Sequence, residues 1–152
     1  MSPNYTQVSE VKLTYTNKVK SSERFSIRQS SDLYKFLVDY VYNPDTILLS
    51  ESFKLILLSN ANKVLGYYSM FEGGTGSTIV DIKMIIQAAL LSNASAIIIS
   101  HNHPSGQLVP SREDINLTQK IKQACDIFTI RILDHIIVTD EGYYSFSDEG
   151  RI

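Results

Sequence analysis

Six stretches of the chain carry the alternating or continuously apolar patterns that are typical of β-strands. Residues 95–100 (Ser-Ala-Ile-Ile-Ile-Ser) are apolar on both parities, which predicts a central strand that is covered on both faces. A turn at residues 60–63 separates two of the stretches and predicts a β-hairpin. The predicted strands are residues 11–16, 51–58, 64–71, 95–100, 129–138 and 143–146.

Three other stretches repeat apolar residues at helical spacing. The first predicted helix has Ser30 or Ser31 as its cap and ends at the Asn-Pro-Asp turn of residues 43–45. Its apolar face is formed by Leu33, Phe36, Leu37, Tyr40 and Val41. The second predicted helix covers residues 80–92, and the third covers residues 112–126.

The alternation of strands and helices favours an α/β (α+β) fold with three layers, in which helices flank a mixed β-sheet. Residues 18–28 are polar and are interpreted as a connector. The predicted organisation is therefore an N-terminal strand and connector over residues 1–28, followed by one domain over residues 29–152. A flexible loop before the second helix is predicted at Gly73, Gly74 and Gly76.

The composition is that of a globular domain. With 152 residues, 43% apolar and 20% charged, the chain is not expected to be disordered. No apolar run approaches the ~18 residues of a membrane helix and no secretory signal is evident, so we expect a cytoplasmic protein. The net charge of −2 disfavours direct binding to nucleic acid, whose phosphates are also negatively charged. Cys125, the single cysteine, lies in an apolar helical pattern and is expected to be buried.

Residues 101–114 combine residue types and spacing that point to chemistry. His101 and His103 follow the predicted central strand, and residues two apart in an extended chain project to the same side. The two imidazoles can therefore converge while Asn102 points away. Ser111 and Asp114 follow at the start of the third predicted helix. Together these residues predict a divalent-metal site at the carboxyl end of a strand, where α/β proteins place their sites.

Ser111 and Asp114 have a second interpretation, because a serine followed three residues later by an acid resembles a capping box. The position of Asp114 favours the metal. It lies three residues before Leu117 and seven before Ile121, on the apolar face of the helix. A carboxylate that points inward needs a cation or hydrogen-bond donors. Two histidines and one aspartate would leave a fourth tetrahedral position for water, as in catalytic zinc sites.

A site of this kind also requires a general base from elsewhere in the chain. Glu51, at the start of a predicted core strand, is the favoured candidate. Periodicity alone does not select it over Glu10, Glu23 or Glu72.

Other patterns in the sequence suggest different chemistry, but each is weaker evidence than the His/His/Asp spacing. The glycines of residues 73–76 lack the Gly-Lys-Ser/Thr of a phosphate-binding loop. Three consecutive residues His-Asn-His do not make an HNH nuclease, whose motif is spread over a ββα unit, and a zinc deaminase needs two cysteines. His135, in an apolar strand, is expected to be structural and not a ligand.

The pattern His101-x-His103-x7-Ser111-x2-Asp114 resembles the JAMM motif of the JAB/MPN(+) zinc metalloproteases. The local sequence, His-Asn-His-Pro-Ser-Gly and then Pro-Ser-Arg-Glu-Asp, is similar to the RadC-like branch of that superfamily. The likeness runs from about Glu51 to the C-terminus and includes Leu-Asp-His-Ile-Ile-Val at residues 133–138. Residues 29–152 thus resemble a RadC-like JAB/MPN(+) domain.

This resemblance implies a Zn²⁺ ion with His101, His103 and Asp114 as ligands. It implies that Glu51 takes a proton from the attacking water and returns it to the leaving amine, and that Ser111 hydrogen-bonds the oxyanion. The implied activity is zinc-dependent hydrolysis of a peptide or amide bond, by a metallopeptidase or isopeptidase whose substrate the sequence does not identify.

The resemblance also carries alternatives and departures. The traditional association of the branch with DNA repair implies an accessory protein without protease activity as the alternative function. The helix-hairpin-helix module of many RadC-like proteins is not expected in this chain, which disfavours direct DNA binding. Asp81-Ile-Lys-Met84 stands where His-Pro-Arg-Glu is usual in the branch, so substrate contacts are expected to differ there. A non-catalytic scaffold is disfavoured because every residue of the motif is present.

Overall fold

Five strands form one mixed sheet in the order β2-β1-β3-β4-β5. The computed structural model describes residues 8–12, 14–74 and 80–152. The strands are β1 (Glu51–Leu58), β2 (Val64–Gly74), β3 (Ala96–Asn102), β4 (Arg131–Val138) and β5 (Tyr143–Ser145). Neighbouring strands run antiparallel except β3 and β4, which run parallel. The predicted hairpin of β1 and β2 is confirmed.

Helical segments precede β1 and also separate β2 from β3 and β3 from β4. They are α1 (Ser30–Phe36), which continues as a π-helical turn (Leu37–Val41), α2 (Ile82–Leu91), α3 (Arg112–Ile127) and a short 3-10 turn (Ser21–Glu23). Helix α3 connects β3 to β4, because parallel neighbours cannot be joined by a tight turn and need a crossover. None of the helices in the described ranges has the length and apolar content that crossing a bilayer requires.

Strand β3 lies at the centre of three layers, and all seven of its residues are buried. Ile98 belongs to the apolar cluster under α1, which includes Leu33. Ile97 belongs to the opposite cluster under α2 and α3, together with Ile85 and Cys125. The predicted three-layer α/β arrangement, the doubly covered central strand and the burial of Cys125 are confirmed.

The predicted strand at residues 11–16 is wrong where the structure describes it. Residues 11, 12 and 14–16 are exposed and belong to no strand. The hydroxyl of Tyr15 donates a hydrogen bond to the carbonyl of Leu65 on β2, at 2.8 Å. Alternation indicates strand propensity, but a strand also requires the backbone of a neighbour, which propensity does not supply.

The first helix departs from the prediction at both ends. Gln29 is the N-cap and makes no side-chain cap bond, so the predicted caps Ser30 and Ser31 are wrong. The Ser30 hydroxyl instead contacts Asp148 Oδ2 at 2.5 Å. Tyr40 is 68% exposed, whereas the other four predicted face residues are buried. The change to a π-helical turn explains this, because it alters the angular spacing that places Tyr40 on the apolar face.

The first two glycines of the predicted loop lie in a strand. Gly73 and Gly74 belong to β2, where Gly74 pairs with Glu51, so the loop prediction is wrong at these two residues. Backbone pairing with β1 holds Gly74 in the strand despite its low β-propensity, and Gly73 lies at the register shift between the pairs of Glu51 and Ser52. Gly76 lies outside the described residues.

Asp134 is a buried carboxyl in β4 and is 5% exposed. Its Oδ2 accepts a hydrogen bond from the Ser145 hydroxyl at 2.6 Å, and its Oδ1 accepts one from the Ser147 backbone N–H at 3.0 Å. Burial raises the pKa of Asp134 to about 6, although these hydrogen bonds oppose the shift. In the folded chain the carboxyl therefore keeps its proton up to about pH 6, at which an exposed aspartate is already ionised.

Because the Asp134 carboxyl is harder to ionise when it is buried, we expect the free energy of unfolding to fall as the pH rises. The unfolded chain ionises Asp134 near its ordinary pKa and the folded chain only near 6, so the free energy of unfolding falls between these values, by about 1–3 kcal/mol. Asp134→Asn removes this loss and should gain stability relative to the wild type between about pH 4 and about pH 7. Urea unfolding at both pH values measures the difference, with the exposed Asp39→Asn as the control for removing one charge. If the free energy of unfolding changed equally between the two pH values in the wild type and in Asp134→Asn, the expectation would be contradicted.

Candidate metal centre

The two histidines of the motif lie at the carboxyl end of β3. His101 is the penultimate residue of the strand, is 1% exposed, and pairs with Phe53 of β1. His103 follows the strand, and its backbone N–H donates to the carbonyl of Val138 at 3.1 Å, which keeps the chain extended beside β4. Because residues two apart in extended chain share a side, both imidazoles face the α3 layer.

The start of α3 brings Asp114 to the histidines. Ser111 is the N-cap: its Oγ accepts from the Asp114 backbone N–H at 3.0 Å, and Asp114 Oδ2 accepts from the Ser111 backbone N–H at 2.8 Å. The capping box is therefore present. The capping box does not compete with metal binding by Asp114, because it fixes the carboxylate in the orientation that faces the imidazoles.

Three potential ligand atoms converge at this point. His101 Nε2 lies 3.0 Å from His103 Nε2 and 3.4 Å from Asp114 Oδ1, and His103 Nε2 lies 3.7 Å from Asp114 Oδ2. Zinc–nitrogen and zinc–oxygen bonds of about 2.0–2.1 Å at tetrahedral angles separate two ligand atoms by roughly 3.3 Å. The three distances, two of which are to different carboxylate oxygens of Asp114, are close to that separation. Among the described residues, this His/His/Asp group is a candidate metal-binding cluster.

The proton positions at His103 strengthen this fit. Its Nδ1 lies 2.7 Å from the carbonyl oxygen of Gln107, and a carbonyl can only accept, so Nδ1 carries the proton. In the neutral ring Nε2 is then an acceptor. It faces the Asp114 carboxylate, which is an acceptor as well. Acceptor atoms that face one another need positive charge between them, supplied either by a metal ion or by a second proton on the His103 ring.

The electrostatics of the group agree with this requirement. A hydrogen bond to Asp114 raises the pKa of His103 above its usual value, although partial burial opposes the shift. Burial disfavours the charged form of Asp114, but its contacts with His101 and His103 outweigh burial and hold the pKa of that carboxyl well below its usual range. Asp114 is thus ionised and provides negative charge at the point of convergence.

A cleft of about 630 Å³ opens beside the three atoms. Glu51, at the first position of β1, lines it together with Ser111, so the structure brings all five predicted site residues to one cleft. Glu51 and Phe53 share a face of β1 because they are two residues apart, and the Phe53 ring is stacked on His101 with centroids 6.1 Å apart. Glu10 and Glu23 are not among the described residues that line the cleft.

Comparison with known proteins agrees with the fold and with this arrangement. The model of the RadC-like JAB domain family matches residues 27–151, which include all five of these residues. The chain belongs to the RadC-like JAB domain family. The predicted family is confirmed.

Relatives of this RadC-like JAB domain occur in several bacteria. A UPF0758 protein of Flavobacterium johnsoniae is 45% identical over 100 residues, which are 66% of this chain and 44% of the relative. One of Porphyromonas gingivalis is 38% identical over 128 residues, 84% of this chain and 55% of the relative. One of Haemophilus ducreyi is 44% identical over 99 residues, 65% of this chain and 44% of the relative. The chain spans about half the length of these relatives, and none of the three names states an activity.

Asn102 of this RadC-like JAB domain points away from the histidines, as expected, but it has more contacts than the sequence indicates. Its Oδ1 accepts from the Ser52 backbone N–H at 2.7 Å and from the Ser52 hydroxyl at 3.1 Å. Its Nδ2 donates to the carbonyls of Ile47 and Ser50 at 2.7 and 2.8 Å. These four bonds bracket Glu51 and hold the start of β1 against the end of β3. No sequence signal identifies them, because every partner group is backbone or Ser52.

His135 also has a contact that the sequence does not reveal. It is fully buried, as a structural histidine should be, but its Nε2 lies 2.8 Å from His101 Nδ1. Burial lowers the pKa of His135 well below its usual value, so the ring is neutral.

The segment that departs from the RadC-like pattern begins α2. Asp81 is the N-cap and accepts a hydrogen bond from the Lys83 backbone N–H at 2.9 Å. Val80, the residue before it, lines the cleft. The segment that differs from the RadC-like pattern therefore lies next to a residue that lines the cleft.

Proposed function

We propose that this RadC-like JAB domain is a zinc-dependent hydrolase that cleaves a peptide or amide bond. The observation that carries the proposal is the convergence of three side chains: His101 Nε2 lies 3.0 Å from His103 Nε2, and the Asp114 carboxylate approaches the first through Oδ1 at 3.4 Å and the second through Oδ2 at 3.7 Å. A nitrogen–nitrogen–oxygen set with one open tetrahedral position is the ligand set of catalytic zinc sites, whereas structural sites are closed by four protein ligands. When bound, a zinc ion in such a site polarises a substrate carbonyl and makes water more acidic.

Glu51 is the general base and acid in this proposal. Its carboxylate accepts a proton from the attacking water and transfers it to the nitrogen of the leaving amine, so the residue ends the cycle in its starting state. Asn102 would hold Glu51 for this role, because its four hydrogen bonds fix the backbone on both sides of that residue. Positioning of this kind is what makes proton transfer efficient.

Ser111 supplies a hydrogen-bond donor for the oxyanion. Its Oγ accepts from the Asp114 backbone N–H, which leaves its own O–H free to donate. The hydroxyl can therefore cap α3 and stabilise negative charge on the substrate oxygen at the same time.

The volume of the cleft is large enough for a short segment of peptide. Its volume of about 630 Å³ lies within the range of small-molecule sites, about 300–1,000 Å³. Its walls combine apolar and polar side chains: Phe53, Val80, Leu117, Glu113, Asn116 and Lys120. The substrate we propose is a peptide or another amide, and its identity is left to experiment.

A cleavage assay tests the proposal. The zinc-loaded protein is incubated with a peptide library, and new termini are identified by mass spectrometry. We expect cleavage that a chelator abolishes and added zinc restores. A protein that holds one zinc ion per chain and yields no new termini contradicts peptide hydrolysis, and cleavage that continues in the chelator contradicts zinc dependence.

The two roles of Ser111 can be separated by substitution. Ser111→Gly loses the hydroxyl but remains an acceptable N-cap, so stability should change by only a few tenths of a kcal/mol. Loss of an oxyanion donor lowers kcat by about 10²–10³-fold. Ser111→Ala should lose the same rate and also about 1 kcal/mol of stability. Thermal unfolding and the cleavage assay measure both effects, and a Ser111→Gly protein with the wild-type rate would contradict the role of the hydroxyl.

A further inference from the structure

A chain of hydrogen bonds connects two members of the metal cluster through the protein interior. His101 Nδ1 lies 2.8 Å from His135 Nε2, and His135 Nδ1 lies 2.6 Å from Thr118 Oγ1. The Thr118 hydroxyl in turn donates to the backbone carbonyl of Asp114 at 2.7 Å. His101, His135 and Thr118 are all buried, at 1%, 0% and 3% exposure. The chain therefore begins on one proposed ligand and ends on the backbone of another.

The acceptor at the end of the chain determines the direction of every proton. A carbonyl oxygen cannot donate, so the single hydroxyl proton of Thr118 points to Asp114. Thr118 Oγ1 can then only accept from His135, which places the proton of that neutral ring on Nδ1. His135 Nε2 consequently accepts, and the donor is His101 Nδ1. His101 is left with a lone pair on Nε2, the atom that faces His103 and Asp114.

The opposite direction would block the site. If Thr118 donated to His135 Nδ1, the His135 proton would lie on Nε2 and point at His101 Nδ1. The proton of His101 would then occupy Nε2, between the three converging atoms, where it would exclude a cation. The hydrogen bond that the Thr118 hydroxyl donates to the Asp114 carbonyl disfavours that arrangement, because it uses the only hydroxyl proton.

Packing fixes the ring of His135 in this chain. The ring stacks on Phe146 with centroids 4.5 Å apart and an interplanar angle of 11°, and a second aromatic ring, that of Phe53, lies 6.3 Å away. Metal-binding histidines commonly donate their second ring nitrogen to a carboxylate, a carbonyl or water, and that bond orients the ligand. Here a neutral imidazole takes the place of those acceptors.

We propose that His135 and Thr118 are positioning residues, which hold His101 in the Nδ1-protonated tautomer and so set the metal affinity of the site. The proposal rests on the proposed function only in requiring that the cluster binds a metal. Neither residue contacts the cleft, and neither is a catalytic residue.

Thr118→Val tests the chain with a side chain of the same shape and no hydroxyl. Without the hydroxyl, the His135 proton can move to Nε2, so we expect the Kd for Zn²⁺ to rise about 10-fold or more, as for other residues that orient metal ligands. Thr118→Ser keeps the hydroxyl and should retain the wild-type Kd. The matched control is Ser92→Ala, since the buried hydroxyl of Ser92, at the C-cap of α2, makes the same type of bond to a helix carbonyl, that of Ala88 at 2.8 Å. Competition with a chromophoric chelator measures each Kd.

The outcomes separate this proposal from the proposed function. If the wild type binds zinc and Thr118→Val binds it with the same Kd, the positioning role is overturned and the metal site stands. If the wild type binds no zinc, both are overturned. A Kd that rises equally in Thr118→Val and Ser92→Ala reflects a general loss of helix stability and also overturns the positioning role.

A second measurement needs no variant. The chain has three histidines, so long-range ¹H–¹⁵N spectra of the zinc-loaded wild type can assign every ring. We expect the proton on Nδ1 of His101, His103 and His135. A His135 ring protonated on Nε2 overturns the proposal, even if Thr118→Val fails to fold.

Discussion

Replacing Glu51 with Gln is expected to lower the rate of cleavage by about 10²–10⁴-fold and to leave the zinc content at one ion per chain. Gln has the shape of Glu but cannot accept a proton at neutral pH. Glu51 is outside the converging His/His/Asp group, so its charge is not needed to hold the metal. Loss of rate with retention of metal distinguishes a general base from a ligand.

The control for Glu51→Gln is Glu149→Gln, the same substitution at an exposed residue near the C-terminus. Zinc content is measured by mass spectrometry of the purified proteins, and the rate with a substrate selected from the peptide library. The assignment of Glu51 fails if the zinc-loaded Glu51→Gln protein keeps the wild-type rate. It fails equally if the variant loses its zinc, because Glu51 would then be a ligand.

His103→Ala is expected to weaken zinc binding by about 10²-fold or more. Four-ligand zinc sites bind with about 10–16 kcal/mol, so one ligand accounts for roughly 3 kcal/mol, which corresponds to about 10²-fold in Kd. His103 follows β3 and is half-buried, so the apo protein should keep its stability. His101→Ala should lose zinc similarly, but it should also destabilise the apo protein, because the His101 ring is buried against Phe53 and His135.

Lys120→Ala is the control for these alanine substitutions, since Lys120 lines the same cleft but carries no metal-binding atom at neutral pH. The Kd for Zn²⁺ and the free energy of unfolding of the apo protein are measured for each variant. Zinc binding by His103→Ala with the wild-type Kd would remove that residue from the ligand set.

The position of the candidate metal-binding cluster follows from patterns that a sequence displays directly. The apolar run before His101 predicts a doubly covered strand, and β3 is one. The spacing of Asp114 from Leu117 and Ile121 predicts an inward carboxylate at the start of a helix, and α3 begins with that carboxylate facing the histidines. Strand parity and helix periodicity are local properties, so residue order alone carries them.

What the sequence does not display depends on pairing between distant segments. Glu51 lies in the cleft because β1 pairs with β3 in the register that sets Phe53 opposite His101. Asn102 meets Ser52 through the same pairing, and His135 meets His101 because β4 runs parallel to β3. Periodicity does not specify the register between strands. For that reason the sequence leaves several candidates for the proposed general base, and the contacts of Asn102 and His135 become visible only in the fold.

X-ray absorption spectroscopy at the zinc edge of the purified native protein would determine whether His101, His103 and Asp114 bind zinc. We predict one zinc ion per chain, with two imidazole nitrogens and oxygen donors at about 2.0–2.1 Å and no sulfur. Folded protein that binds no zinc at micromolar free metal would overturn this prediction. So would a bound ion whose ligand shell lacks imidazole or contains the sulfur of Cys125.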